Sequence, residues 1–191
     1  MTSPKRFFVL RDDMRLPGRW QPGSPFDERG EEMDPWQFRK GKHLELSCTP
    51  LFDLGCEGSS LDFTLTAFNI PLVNGRVVSL FERLGILHEV QFLPARVEGQ
   101  TEPYFILNAL RVIRCIDDAR CEEVLYWTPE DNRPDKTGEY RDISGLKVDP
   151  ELIGDTHIFR PWGWRVNLIV SETVKLAMER EGLSGPKFTE A

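Results

Sequence analysis

The chain has 191 residues, with 24 Lys and Arg against 31 Asp and Glu, which sets a formal charge of −7 and a pI of about 5.1. Its 40% hydrophobic content is enough for one core and too high for a disordered chain, so residues 1–191 read as a single domain that needs no disulfide framework. Phosphate backbones recruit clustered Lys and Arg through counterion release, so an acidic chain with scattered bases is a poor candidate for a nucleic-acid binder, is poorly suited to an anionic membrane, and suits a basic partner; no nucleic acid is expected as a partner.

Lys5 to Leu10 is a short β-type run. Arg15 to Gly41 follows with Pro17, Pro22, Pro25 and Pro35 and with no helical or strand period, which predicts a long irregular loop. Loops of this length are usually functional or pinned, and the rings of Trp20, Phe26, Trp36 and Phe38 are the available pins. Between them lies Asp27-Glu28-Arg29-Gly30-Glu31-Glu32-Met33-Asp34, a run of acids that is most simply a solvated face.

Leu61 to Asn69 alternates, with Leu61, Phe63, Leu65 and Ala67 on one side and Asp62, Thr64 and Thr66 on the other. That pattern predicts a half-buried strand, closed by Pro71. Asn74 then caps a helix in which Val77, Leu80, Phe81 and Leu84 share a face, and Gly85 supplies the left-handed turn at its end. Glu89 to Val97 is a strand that Pro94 places at an edge or a bulge, because proline has no N–H for the ladder. Tyr104 to Ile116 is apolar on both faces as far as Leu110, as a central strand requires.

Glu122 to Trp127 is a further strand, and Thr128 to Gly145, rich in Asp, Glu, Pro and Gly, reads as a loop. The last third offers short pieces at 147–153 and 156–159, a corner at Pro161-Trp162-Gly163-Trp164 and a β-like run from Val166 to Val170. Ser171 then caps a helix in which Val174, Ala177 and Met178 share a face before Gly182-Leu183 stops it. Strands outnumber helices and do not alternate with them, so the expected fold is α+β: a mostly antiparallel sheet with two main helices and long irregular loops.

Cys48, Cys56, Cys115 and Cys121 contain no C-x-x-C pair, and His43, His88 and His157 are far apart, so no metal is assigned and Cys115 reads as a small buried hydrophobe. No nucleophile elbow, H-E-x-x-H helix, phosphate loop or dinucleotide fingerprint occurs, so no cofactor and no catalytic residue is assigned either. Two weak patterns remain. Asp135 and Glu139 with Arg141 faintly echo metal-dependent nucleases, but stand too close in sequence to reach separate strands. His157, with Asp155 upstream and Arg160 and Arg165 nearby, could be a general base with an orienting carboxylate, although no nucleophile completes it and a structural histidine is the plainer reading. The apolar run near the N-terminus is too short for a signal segment or membrane span, so a cytoplasmic protein with reduced thiols is expected.

Taken in order, several segments carry a likeness: Phe7-Phe8-Val9-Leu10, Leu61-Asp62-Phe63 before Ile70-Pro71, Val90-Gln91-Phe92-Leu93-Pro94, and Tyr104-Phe105-Ile106-Leu107-Asn108 leading to Cys115-Ile116-Asp117. Ile158-Phe159-Arg160, Ile169-Val170-Ser171-Glu172 and the closing Gly182-Leu183-Ser184-Gly185 with Phe188 continue it. Over nearly its whole length the chain thus resembles the bacterial immunity proteins of polymorphic-toxin and kin-competition systems, in particular immunity family eleven.

The resemblance implies inhibition by binding, with a cognate protein toxin as partner and no inherited catalytic residues. Many such toxins are nucleases with basic substrate surfaces, so the expectation is stoichiometric occlusion of a basic nuclease domain. A chain of charge −7 would be steered to that surface, raising the association rate roughly 10 to 1,000 fold. The expected partner-binding residues are Asp27, Glu28, Glu31, Glu32 and Asp34, with Trp36 as an aromatic anchor; Asp117, Asp118, Glu122 and Glu123 form a competing patch. Two other readings stay open: a small metal- or His-dependent hydrolase, and a non-catalytic scaffold.

Overall fold

The computed structural model describes residues 5–191; positions 1–4, the start of the N-terminal stretch, lie outside the described residues. The chain runs β1 (Phe7–Asp12), β2 (Gln21–Phe26), a 3-10 turn (Pro35–Arg39), β3 (Leu51–Cys56), β4 (Phe63–Leu65), β5 (Pro71–Asn74), α1 (Gly75–Leu84), β6 (Val90–Val97), β7 (Tyr104–Ala109) and β8 (Val112–Ile113). It continues through β9 (Glu123–Tyr126), β10 (Tyr140–Ser144), α2 (Pro150–Ile153), β11 (Ile158–Pro161), β12 (Leu168–Ser171), α3 (Glu172–Arg180) and β13 (Pro186–Glu190). No helix among the described residues is long and apolar enough to cross a membrane.

The strands form a five-stranded sheet in the order β13-β1-β12-β11-β8, a six-stranded sheet in the order β2-β3-β6-β7-β5-β4, and a separate two-stranded ribbon of β9 and β10. Pairing is antiparallel except for β11 with β8 and β3 with β6, so the fold is α+β with mostly antiparallel sheets, as expected. The two large sheets share one core. Phe8, Leu10, Ile158, Leu168 and Val170 from the first meet Phe63, Val73, Leu107 and Ala109 from the second, and α1 and α3 close the layer with Val77, Leu80, Phe81, Val174 and Met178.

The opposite faces of both sheets are also covered, which is why their central strands carry apolar residues at consecutive positions. In β1, Phe8 and Leu10 face the shared core while Phe7 and Val9 join Cys115, Val148, Ile153, Phe159 and Ile169 on the other side. In β7, Leu107 and Ala109 face the shared core while Tyr104 and Ile106 join a second cluster with Trp20, Phe38, Phe52 and Leu72.

Both long helices follow their sequence signals. The Asn74 side chain accepts the Arg76 N–H at α1, and Gly85 ends it with φ 72°. Ser171 accepts the Val174 N–H at α3, and Leu183 donates its N–H to the Met178 carbonyl at 3.2 Å.

Four expectations need correction. The segment from Arg15 to Gly41 is not wholly irregular: β2 pairs with β3, and its register slips at Pro22 and Pro25, which only an edge strand tolerates. The stretch from Thr128 to Gly145 ends in β10, the return strand of a hairpin whose apolar period is masked by Arg141 and Asp142. The strand predicted over 61–69 shrinks to β4, and its polar side is buried too, because Asp62, Thr64 and Thr66 face protein rather than water. Pro71 opens a strand rather than merely closing one, since β5 returns antiparallel beside β4.

Pro94 is instructive. Its strand β6 lies inside the sheet and keeps an unbroken register with β7, so there is no bulge. However, β3 joins β6 only from Arg96 onward, leaving Pro94 on a locally open edge. The run from Tyr104 likewise divides: β7 belongs to one sheet and β8 to the other, and Leu110-Arg111 makes the crossing. β13 and the one-turn helix α2 are additions that the sequence pattern does not announce.

Candidate partner-binding surface

The acidic segment begins where β2 ends. At its start the Asp27 N–H donates to the Glu31 carbonyl at 2.9 Å and the Met33 N–H to the Pro25 carbonyl at 2.8 Å, which folds the chain back as a tight hairpin. Asp27 builds this turn: its Oδ1 accepts the N–H groups of Arg29 and Glu31 at 2.8 and 2.9 Å, and Gly30 takes the left-handed conformation at φ 78°. Asp34 is also committed. Its Oδ1 accepts the Trp36 N–H at 2.9 Å and caps the 3-10 turn over Pro35–Arg39, with Lys40 Nζ at 3.9 Å.

Glu28, Glu31 and Glu32 differ from these two. All three are exposed, and among the described residues none of their carboxylates makes a hydrogen bond or an ion pair. Glu28 lines a cleft of about 620 Å³ together with Thr49, Leu51, Asp53, Arg96 and Glu98. Trp36 is 57% exposed, edge-on to Phe68 at 6.0 Å and with the Arg39 guanidinium over its ring at 5.0 Å. Beneath the segment, Trp20 and Phe38 are fully buried and hold it to the sheet, whereas Phe26 is only partly covered.

The competing patch lies against the β9–β10 ribbon. Asp118 accepts the hydroxyls of Tyr126 and Tyr140, the latter at 2.7 Å. The bond to Asp118 raises the pKa of Tyr126, and burial followed by the same bond raises that of Tyr140. Glu122 accepts the Ser144 hydroxyl at 3.1 Å, and Asp117 faces Arg120 at 3.8 Å. Glu123 alone is exposed there without such a commitment. The two acidic regions are therefore not equivalent: one holds its ribbon together, while the other presents three carboxylates to solvent.

The weak catalytic patterns do not assemble. Asp155 pairs with Lys5 and not with His157, whose Nδ1 lies 2.8 Å from the Ser171 hydroxyl that caps α3. The backbone N–H groups of His157 and Ile158 both donate to Glu89, so the histidine is tied into the fold on two sides. Asp135 pairs with Arg133 at 3.0 Å and Glu139 faces Arg165 at 3.8 Å, each acid answered by a separate base. Among the described residues no group of three or more His, Cys, Asp or Glu is placed to hold a metal ion. Burial and the Asp149 charge push the Cys115 thiol up to about 12, consistent with an inert apolar role.

The distinction between the working acids was partly available in advance. Asp followed by Pro at the first position of a helical turn marks an N-terminus, so Asp34-Pro35 announces a cap, and Asp27 three residues before Gly30 announces a turn. Which remaining acids stay unpaired depends on neighbours distant in sequence and had no local signal.

These features describe an α+β protein of two packed sheets whose acidic segments lie at its surface. The sequence model of a family described as "Immunity protein family (Imm11)" matches residues 9–191, and the chain belongs to that family. Membership implies a toxin-neutralising immunity role. No curated protein matches the chain.

Proposed function

We propose that the chain is a cytoplasmic immunity protein that captures a cognate toxin, a basic nuclease domain, and neutralises it by stoichiometric occlusion. Glu28, Glu31 and Glu32 would supply the field that draws the toxin in, Asp27 and Asp34 would fix the segment's shape, and Trp36 would anchor the contact. The observation that carries this reading is a single contrast: three exposed carboxylates without partners, on a hairpin held rigid by its own aspartates and by two buried rings. A preorganised charged surface gains association rate without an ordering cost on binding.

The test is binding kinetics against a cognate toxin domain. Reversal of Glu31 and Glu32 to Lys should slow association by about tenfold at low salt, with the difference shrinking as salt rises. Unchanged association would remove this segment from the interface. A nuclease that stays fully active beside an equimolar amount of this chain would remove occlusion itself.

A further inference from the structure

We propose that Arg39 and Arg160 form a buried binding site for a small, doubly charged oxyanion of the phosphate or sulfate class, which ties the 3-10 turn after the acidic hairpin to the five-stranded sheet. The proposal is independent of the toxin reading, because it concerns the chain alone.

Arg160 is fully buried and Arg39 is 8% exposed. Arg160 lies on β11 on the same side as Ile158, the side turned to the shared core. The turn bearing Arg39 is brought to it by Gly41, which packs against the Val112 side chain, while Val112 itself pairs with Arg160. Farther on, Asn108 donates to the Lys42 carbonyl at 2.9 Å and holds this segment against β7.

The hydrogen bonding of Arg160 is one-sided. Its Nη1 donates to the Arg165 carbonyl at 2.8 Å, with the carbonyls of Val166 and Asn167 at 3.4 and 3.5 Å, which fixes the guanidinium in place. Its Nε and Nη2 have no partner among the described residues. Those two nitrogens form the side-on edge of the guanidinium, whose parallel N–H bonds match two oxygens of one oxyanion. Arg39 Nε is buried without a partner as well; its guanidinium lies over the Trp36 ring at 5.0 Å and makes no hydrogen bond or ion pair among the described residues.

Charge makes the same demand. Burial pushes Arg39 down to about 10, and burial with the neighbouring Arg39 charge pushes Arg160 down to about 9; no carboxylate offsets either. Both values stay above neutral pH, so both guanidiniums carry their charge. An uncompensated buried charge costs several kcal/mol, and at neutral pH neither guanidinium escapes by giving up its proton. A dianion answers both charges at once, whereas chloride or a single carboxylate leaves one unanswered. Free donors on a fixed edge, beside a second cation and away from acids, are what such an ion recognises.

The experiment is calorimetric titration of the full chain with sodium sulfate and with sodium phosphate above neutral pH, alongside thermal unfolding, at constant ionic strength set by sodium chloride. Expected is saturable one-site binding with Kd at or below about 1 mM and a rise in Tm that saturates over the same range. Arg39→Gln should weaken binding by about tenfold or more, since a hydrogen bond to a charged group is worth that much. Arg160→Lys keeps the charge and removes the side-on edge, and it too should weaken binding by about tenfold or more. The general stabilisation that sulfate gives any protein does not saturate and is shared by the variants, which separates it from the site. No saturable binding by the wild type, equal affinity in both folded variants, or equal saturation by chloride would each overturn the proposal.

Discussion

The carboxylate of Asp62 accepts the backbone N–H of Ser184 at 2.7 Å, joining positions 122 residues apart. The same carboxylate accepts the Ser184 hydroxyl at 2.9 Å, the Asn74 side-chain amide at 2.8 Å and the Arg76 guanidinium at 2.7 Å. One acid on the way into β4 thus clamps the start of α1 to the loop that leaves α3. Burial by itself raises the pKa of Asp62, but the bonds from Ser184 and Asn74 and the Arg76 charge outweigh it, and the group sits below its ordinary value.

Loss of this clamp should be costly. Asp62→Ala removes the acceptor for four donors and should lower stability by about 2–4 kcal/mol in denaturant unfolding. The pH dependence has a definite sign. A carboxylate whose folded pKa is depressed contributes its full share above the unfolded value of 3.8 and loses that share as pH falls through the folded value. Wild type should therefore lose stability on acidification below that point more steeply than Asp62→Asn.

Gly185 offers a purely steric prediction. It adopts φ +100°, and a Cβ there would stand 1.9 Å from the Phe63 carbonyl oxygen, which is backbone and cannot swing aside. Its own carbonyl accepts the Asp13 N–H at 2.7 Å, so movement away breaks a second contact. Gly185→Ala should cost about 3 kcal/mol and lower Tm by roughly 6–12 °C, read by calorimetry.

Glu89 is 3% exposed, and its Oε2 accepts the backbone N–H groups of His157 and Ile158 at 2.7 and 2.8 Å. Glu89→Ala leaves both N–H groups buried without a partner and should cost about 2–4 kcal/mol, with amide hydrogen exchange at positions 157 and 158 accelerating beyond the global change. Glu89→Gln keeps an acceptor oxygen and should lose less than half as much.

Trp36 separates stability from recognition. Among the aromatic and cationic groups of the described residues its exposed ring touches only Phe68 and Arg39, so Trp36→Ala should change unfolding free energy by less than about 1 kcal/mol. If the ring anchors the toxin, the same substitution should raise Kd by about 30-fold or more, chiefly through faster dissociation. A full-strength complex with a Trp36→Ala chain would take this residue out of the contact.

Local signals determined much of this protein. The period of Val77, Leu80, Phe81 and Leu84 between Asn74 and Gly85 fixed α1, the Ser171 cap fixed α3, and the run apolar at consecutive positions marked β7 as a central strand, while β1 was legible as a short β-type run. Such features act within a few residues, through capping bonds and side-chain direction, and so are written where they operate. The edge strand β2, the ribbon strand β10 and the closing strand β13 escaped because their pairing partners, not their own periods, make them strands. The same holds for the surface. Composition placed the acids at Asp27–Asp34, but only the folded chain decided that Asp27 and Asp34 hold the backbone while Glu28, Glu31 and Glu32 face water. Tertiary structure alone brought Asp62 to Ser184 and buried the Arg160 guanidinium with two nitrogens unpartnered among the described residues, because electrostatic and hydrogen-bond partnership depends on distance in space, which sequence separation does not encode.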